Sequence, residues 1–162
     1  MRQTANDFDG AIVCTGGGGL AAGLGTYLRF HNPACRIFTA EPEGWDDHRV
    51  SLAAGARTPA TGKGSGWCDG LLAPVPGELT FEINQANKAT GLTANDANIF
   101  VAMRYARQAL GLRLEPSGAV ALACLLANPQ YFKNQRLLVT LTGGNVDDAR
   151  FSEALALARE AT

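Results

Sequence analysis

The run Ile12-Val-Cys-Thr-Gly-Gly-Gly-Gly-Leu-Ala-Ala-Gly23 constrains the fold more than any other stretch of the chain. Ala11 to Thr15 is continuously apolar and β-prone, the pattern of a strand covered on both faces of a parallel sheet. Leu20, Leu24, Tyr27 and Leu28 then recur at helical spacing until Asn32-Pro33 stops the pattern. Four glycines between a buried strand and a helix let the backbone turn tightly and leave the free N–H groups of a helix N-terminus pointing into one small space. That geometry suits a phosphate. The plainer alternative is a turn that only packs helix on strand.

The rest of the chain repeats the strand-then-helix order. Cys35 to Ala40 reads as a second buried strand, followed by the turn Glu41-Pro42-Glu43-Gly44 and a helix over Asp46 to Ala54. Gly55 to Pro76 is a long loop rich in Gly, Pro, Thr and Ser, and a loop of that length in a compact domain marks a pocket or interface. A short helix is expected over Glu78 to Asn87, an extended piece over Gly91 to Ala94, and a helix over Asn95 to Leu110, capped by Asn95 or Thr93 and ending on Gly111. Glu115-Pro116-Ser117-Gly118 leads into a small-residue helix over Ala119 to Ala127. Arg136 to Leu141 is the strongest remaining strand, running into Thr142-Gly143-Gly144-Asn145, with Asp147 capping a last helix to about Glu160. This order predicts one α/β domain over residues 1–162, a parallel-type sheet flanked by helices.

Composition excludes some partners. A formal net charge of −1 and the lack of any Lys/Arg block give no electrostatic support for nucleic acid or an anionic membrane. No apolar run reaches a membrane span; the longest is roughly Ala119 to Ala127. Cys14, Cys35, Cys68 and Cys124 are scattered and mostly apolar in context, which reads as reduced buried thiols. With no signal-like segment at the start, a cytoplasmic location is expected.

Several residues carry potential chemistry. Gly16-x-Gly18-x-x-Ala21 also fits a dinucleotide fingerprint, with Glu41 after the next strand as the ribose acid. Against that reading, the loop holds more glycine than the fingerprint needs, and Glu41 runs at once into proline and further acids. Glu41, Glu43, Asp46 and Asp47 put four carboxylates in seven residues, suited to a hard cation or else to a solvated turn whose Asp46 caps the next helix. Glu115 is either a pocket carboxylate or a helix-entry acid. Thr142, ahead of two glycines at a strand end, is either a ligand contact or an ST-turn residue. His31 and His48 have no partner at ligand spacing and read as surface residues.

Taken in order, "GGGGLAAG", "AEPEGWDD", "SLAAG", "CDGLLAPVPGELTF", "LEPSGAVALA" and "LTGGNVD" resemble the C-terminal half of the serine/threonine dehydratase and serine racemase group. These are pyridoxal-phosphate enzymes of fold type II, with the tryptophan-synthase-β-like fold. The resemblance covers nearly the whole chain and implies part of that group's large domain. It implies that Gly16, Gly17, Gly18, Gly19 and Leu20 hold the cofactor phosphate. Thr142 would then face the pyridine nitrogen, Glu115 would line the pocket, and Asp69-Gly70 would approach the substrate edge. In racemase-like members a Mg²⁺ or Ca²⁺ ion binds near the domain interface, and Glu41, Asp47 and the Trp45 carbonyl match its ligands.

The chain also departs from the group. The Schiff-base lysine belongs to an N-terminal Ser-x-Lys-type motif with no counterpart here. Lys63, Lys88 and Lys133 all lack that context, so no catalytic residue is assigned. The expectation is a C-terminal portion of a β-eliminating lyase acting on a small hydroxy amino acid, inactive alone, and either self-associating as a dimer or completed by an N-terminal chain. The alternative is a stand-alone, non-catalytic phosphate-binding or oligomerising module of the same fold.

Overall fold

A computed structural model describes residues 7–160. Four strands, β1 (Gly10–Cys14), β2 (Arg36–Pro42), β3 (Thr90–Ala94) and β4 (Leu137–Val139), form one sheet in the order β3-β2-β1-β4, and every described pairing is parallel. The helices are α1 (Gly19–His31), α2 (Asp47–Ala54), α3 (Glu78–Ala86), α4 (Asp96–Ala109), α5 (Pro116–Ala127) and α6 (Asp148–Glu160).

The continuous apolarity of β1 is explained by a core on each face. Ala11 and Val13 pack with Ala21 and Leu28 of α1 and with Ile37. Ile12 and Cys14 point the other way, into the larger core that α4, α5 and α6 build with Phe38 and Ala40. Pro116 to Cys124 is buried throughout, so α5 is a central helix whose small side chains bring it close to the sheet. All four cysteines are free and buried, as expected. Burial pushes the Cys68 and Cys124 thiols far above the ordinary range, which makes them inert packing groups. Among the described residues no helix is long and apolar enough to cross a membrane.

Three elements differ from the sequence expectation, the first being β2, which runs past Ala40 to take in Glu41 and Pro42 of the expected turn. The last strand is three residues long, where Arg136 to Leu141 was expected. Thr140 ends it: its N–H still donates to Ile12 O at 3.0 Å, but its hydroxyl takes over as acceptor for Cys14 N–H at 3.0 Å. A side chain thus replaces the ladder, and the backbone is free to turn away. The helix expected from Ala119 begins at Pro116 instead, since proline at the first helical position forfeits only an N–H that has no intrahelical partner there.

The cap on α4 is as expected, with Asn95 Oδ1 accepting from Asn98 N–H at 3.0 Å. Asn95→Ala is therefore expected to lower stability by about 1 kcal/mol in urea denaturation. An unchanged midpoint would show that this cap contributes nothing.

Candidate functional site

The chain runs from β1 to β2 and β3 on one side, then returns through α4 and α5 to place β4 on the other side of β1. The C-terminal end of β1 is thus a topological switch point, where open α/β sheets leave a crevice for ligands. The glycine loop opens there. Four sequence segments far apart in the chain meet around it through short contacts.

Gly16 lies against the 3₁₀ turn Asp69–Leu71: a Cβ on it would stand 3.3 Å from Gly70 O. Gly70 N–H in turn donates to Ser117 Oγ at 3.1 Å, at the start of α5. At Gly118 the backbone of α5 touches the Thr142 and Gly143 carbonyls so closely that no side chain fits, and Thr142 N–H donates to Gly118 O at 3.3 Å. Glu115 Oε2 accepts from Asn145 N–H at 3.1 Å, and Glu115 N–H donates to Gly143 O at 3.3 Å. Glu115 stands at the N-cap of α5 without a side-chain capping bond, and its carboxylate reaches across to the second glycine loop instead. The half-buried Thr142 is held beside that helix start.

The glycine loop is braced from beneath by α3. Thr80 Oγ1 donates to Gly17 O at 2.5 Å, Gly77 N–H reaches the same carbonyl at 3.3 Å, and Asn84 Nδ2 donates to Gly18 O at 3.4 Å. With its carbonyls tied down, the loop keeps its amides for the open side. Gly17, Gly19 and Leu20 are exposed there, at the first turn of α1. Gly18 has φ +92°, the left-handed conformation in which a side chain is strained. α3 lies where a short helix is expected, but nothing local in "GELTF" signals that Thr80 meets a carbonyl more than sixty residues away.

A second cluster lies behind the loop. Glu41, Asp46, Asp47 and His48 are all buried, with Glu41, Asp47 and His48 at 0% exposure. Two readings are corrected here: of the acidic run only Glu43 is solvent-exposed while Glu41, Asp46 and Asp47 are buried, and His48 is not a surface residue. Glu41 projects from β2 to the N-terminus of α2, where its two oxygens accept from His48 N–H at 2.7 Å and Arg49 N–H at 2.8 Å. Glu41, rather than Asp46, caps this helix; Asp46 pairs instead with the Arg49 guanidinium, at 2.7 Å from Nε. Burial pushes the Glu41 carboxyl up to about 9, aided by the neighbouring Asp47 and Asp46 charges and opposed by the two amide hydrogen bonds. Fully buried and committed to α2, Glu41 cannot reach a ribose, which removes the dinucleotide reading.

Asp47 is the unusual member, because both of its carboxylate oxygens are buried without a hydrogen-bond partner. Glu41, Asp47 and His48 offer ligand atoms within 4.8 Å of one another. Trp45 occupies the turn just before them, its N–H donating to Pro42 O at 3.1 Å.

The family model described as pyridoxal-phosphate dependent enzyme matches residues 1–143. The chain belongs to the pyridoxal-phosphate dependent enzyme family. Within that family it is 34% identical over 159 residues to L-threo-3-hydroxyaspartate ammonia-lyase from a Pseudomonas species, covering 96% of this chain and 48% of the relative. It is 37% identical over 147 residues to beta-hydroxyaspartate dehydratase of Paracoccus denitrificans, covering 91% and 46%. The structure of the processed form of threonine deaminase isoform 2 from Solanum lycopersicum superposes with a TM-score of 0.87 at 28% identity, covering 95% of this chain and 45% of that one. Serine racemase from Dictyostelium discoideum gives 0.79 at 31%, covering 88% and 46%. The chain spans about half the length of the curated relatives it matches, and its fold is a partial chain of fold type II pyridoxal-phosphate enzymes.

Proposed function

We propose that this chain is the cofactor-phosphate-holding part of a hydroxy amino acid dehydratase, acting with an N-terminal part that carries the lysine. The observation that supports it most is the junction of the glycine loop, Gly70, Ser117-Gly118 and Thr142 at the switch point, where every joint is a close backbone contact or a hydrogen bond. The amides of Gly16 to Gly19 and Leu20 would hold a phosphate, favoured by the positive end of α1. Bound there, pyridoxal phosphate supplies an electron sink for the carbanion left when a substrate α-proton is removed. The Thr142 hydroxyl would meet the ring nitrogen as a neutral partner. Glu115 would act at one remove, fixing the loop that carries Thr142. Asp69-Gly70, held by Ser117, would form the edge nearest the substrate.

The same reading places a divalent cation at Glu41 and Asp47. The buried, unpartnered Asp47 oxygens support it, because an orphaned carboxylate in a dry interior is costly and a cation would relieve that cost. Mg²⁺ or Ca²⁺, with the Trp45 carbonyl as a further ligand, is the form the family resemblance suggests.

An N-terminal part, or failing that a second copy, would cover surface left bare on this chain. β4 ends the sheet among the described residues with its leucines and valine half-buried, and Leu20, Tyr27, Phe30 and Leu79 expose apolar side chains, Phe30 at 82%.

The test is complementation. The chain alone, supplied with pyridoxal phosphate and hydroxy amino acids, is expected to release no keto acid. Mixed with a separately expressed N-terminal part carrying the Ser-x-Lys segment, it is expected to do so. Inorganic phosphate should raise its melting temperature in either case. Phosphate stabilisation without product in any mixture would identify the non-catalytic module instead, and turnover by the chain alone would overturn the division of labour.

A further inference from the structure

One buried ring lies between the two clusters and serves neither reading so far. His48 is fully buried, and neither of its ring nitrogens has a hydrogen-bond partner. Its Nδ1 is 3.5 Å from Asp47 Oδ2 and 3.8 Å from Glu41 Oε1, too far for sound hydrogen bonds. Ligands that share one cation, with bonds of about 2.0–2.2 Å, stand roughly 3–3.5 Å apart; the Asp47 contact has that spacing, and the three ligand atoms, all within 4.8 Å of one another, would draw in slightly around an ion. The opposite edge of the ring abuts the Cα of Gly18, where a Cβ would overlap Nε2 and lie 2.6 Å from Cε1. Packed from that side, the imidazole is held with Nδ1 toward the acids.

We propose that His48 Nδ1 is a ligand of the cation site formed by Glu41 and Asp47. The donor set is then mixed nitrogen and oxygen rather than all oxygen. Imidazole suits first-row transition metals, whereas Mg²⁺ and Ca²⁺ prefer hard oxygen donors, so the site selects Mn²⁺ or Zn²⁺ over Mg²⁺. This rests on the cation reading above but replaces its all-oxygen coordination. Each Glu41 oxygen accepts one amide hydrogen bond and keeps a second lone pair for the ion. The Asp47 oxygens accept no hydrogen bond.

Mn²⁺ titrated into the full chain and followed by electron paramagnetic resonance tests this, with Mg²⁺ as competitor. Mn²⁺ is expected to bind at least about tenfold more tightly than Mg²⁺. Electron spin echo modulation of the bound ion should show a directly coordinated ¹⁴N that changes on labelling the histidines with ¹⁵N. His48→Gln should remove that modulation and weaken Mn²⁺ by about tenfold or more, while leaving Mg²⁺ affinity nearly unchanged. Asp47→Asn should abolish both. Bound Mn²⁺ without nitrogen modulation would overturn the role of His48 and leave the oxygen site standing. No binding of any divalent cation would overturn both. The modulation is read on the unaltered chain, so a His48 variant that failed to fold would not spare the proposal.

Discussion

Gly118→Ala is expected to unfold this chain or to cost it more than about 4 kcal/mol, the range in which a single substitution has a specific structural cause. A Cβ at 118 would overlap the Thr142 carbonyl oxygen and stand 2.8 Å from Gly143 O. Both obstacles are backbone, so no rotamer change relieves them. The helix cannot retreat either, because Pro116 to Cys124 is buried on all sides, and Cys14 Sγ and Thr142 N–H both donate to Gly118 O. The gap between α5 and the second glycine loop would have to open, carrying Thr142 away from the crevice. Urea denaturation followed by tryptophan fluorescence reads the loss. Gly23→Ala is the matched control: it lies in α1 with nothing within 4 Å of an added Cβ, and should be neutral or stabilising by up to about 1 kcal/mol. Equal stability of the Gly118 and Gly23 variants would refute the close contact.

The second large effect is expected at the glycine loop proposed to hold phosphate. Gly18→Ala must hold φ near +92°, which costs roughly 1–2 kcal/mol for an L-residue, and must also push back the His48 ring and Thr80 Oγ1, which adds about 1–3 kcal/mol of overpacking. The part that yields is not α2, which Glu41 anchors by two amides, but the loop. Its amides would then lose their common aim, and affinity for inorganic phosphate, measured by calorimetry, should fall at least about tenfold, equivalent to about 1.4 kcal/mol. Gly18→Asn separates the two causes. Asparagine tolerates the left-handed conformation but brings the same Cβ, so it should be nearly as damaging as alanine. Recovery of phosphate binding in the asparagine variant would show that conformation, and not the His48 contact, decides the residue.

The motifs themselves were legible because each is local. An apolar run that breaks into glycines and resumes at helical period describes a strand, a tight turn and a helix start without help from the rest of the chain. The two-faced burial of β1, the Asn95 cap and the inert cysteines follow from the same local rules. Less legible was anything set by a partner distant in sequence. The shortness of β4 depends on a Thr140 hydroxyl meeting Cys14, 126 residues away. The support under the glycine loop comes from Thr80 and Asn84, on a helix whose contact with that loop no local pattern signals.

The acidic turn shows the division most clearly. Its composition offered Glu41, Glu43, Asp46 and Asp47 alike to a cation, with a solvated turn the better account of them, and only the family resemblance singled out Glu41 and Asp47. Burial was decided by tertiary packing: β2 is the second strand in from the edge, α2 folds back over its end, and the glycine loop closes the remaining side. Water is thereby excluded from four polar side chains that look exposed in sequence. Hence the chain's own residues determined the α/β order, the anion-shaped loop and the family resemblance, since these rest on period and spacing. Only the tertiary structure decided that Glu41 caps a helix, that Gly118 is a close backbone contact, and that His48 stands between the buried acids and the glycine loop, because each depends on which distant surfaces share one dry volume.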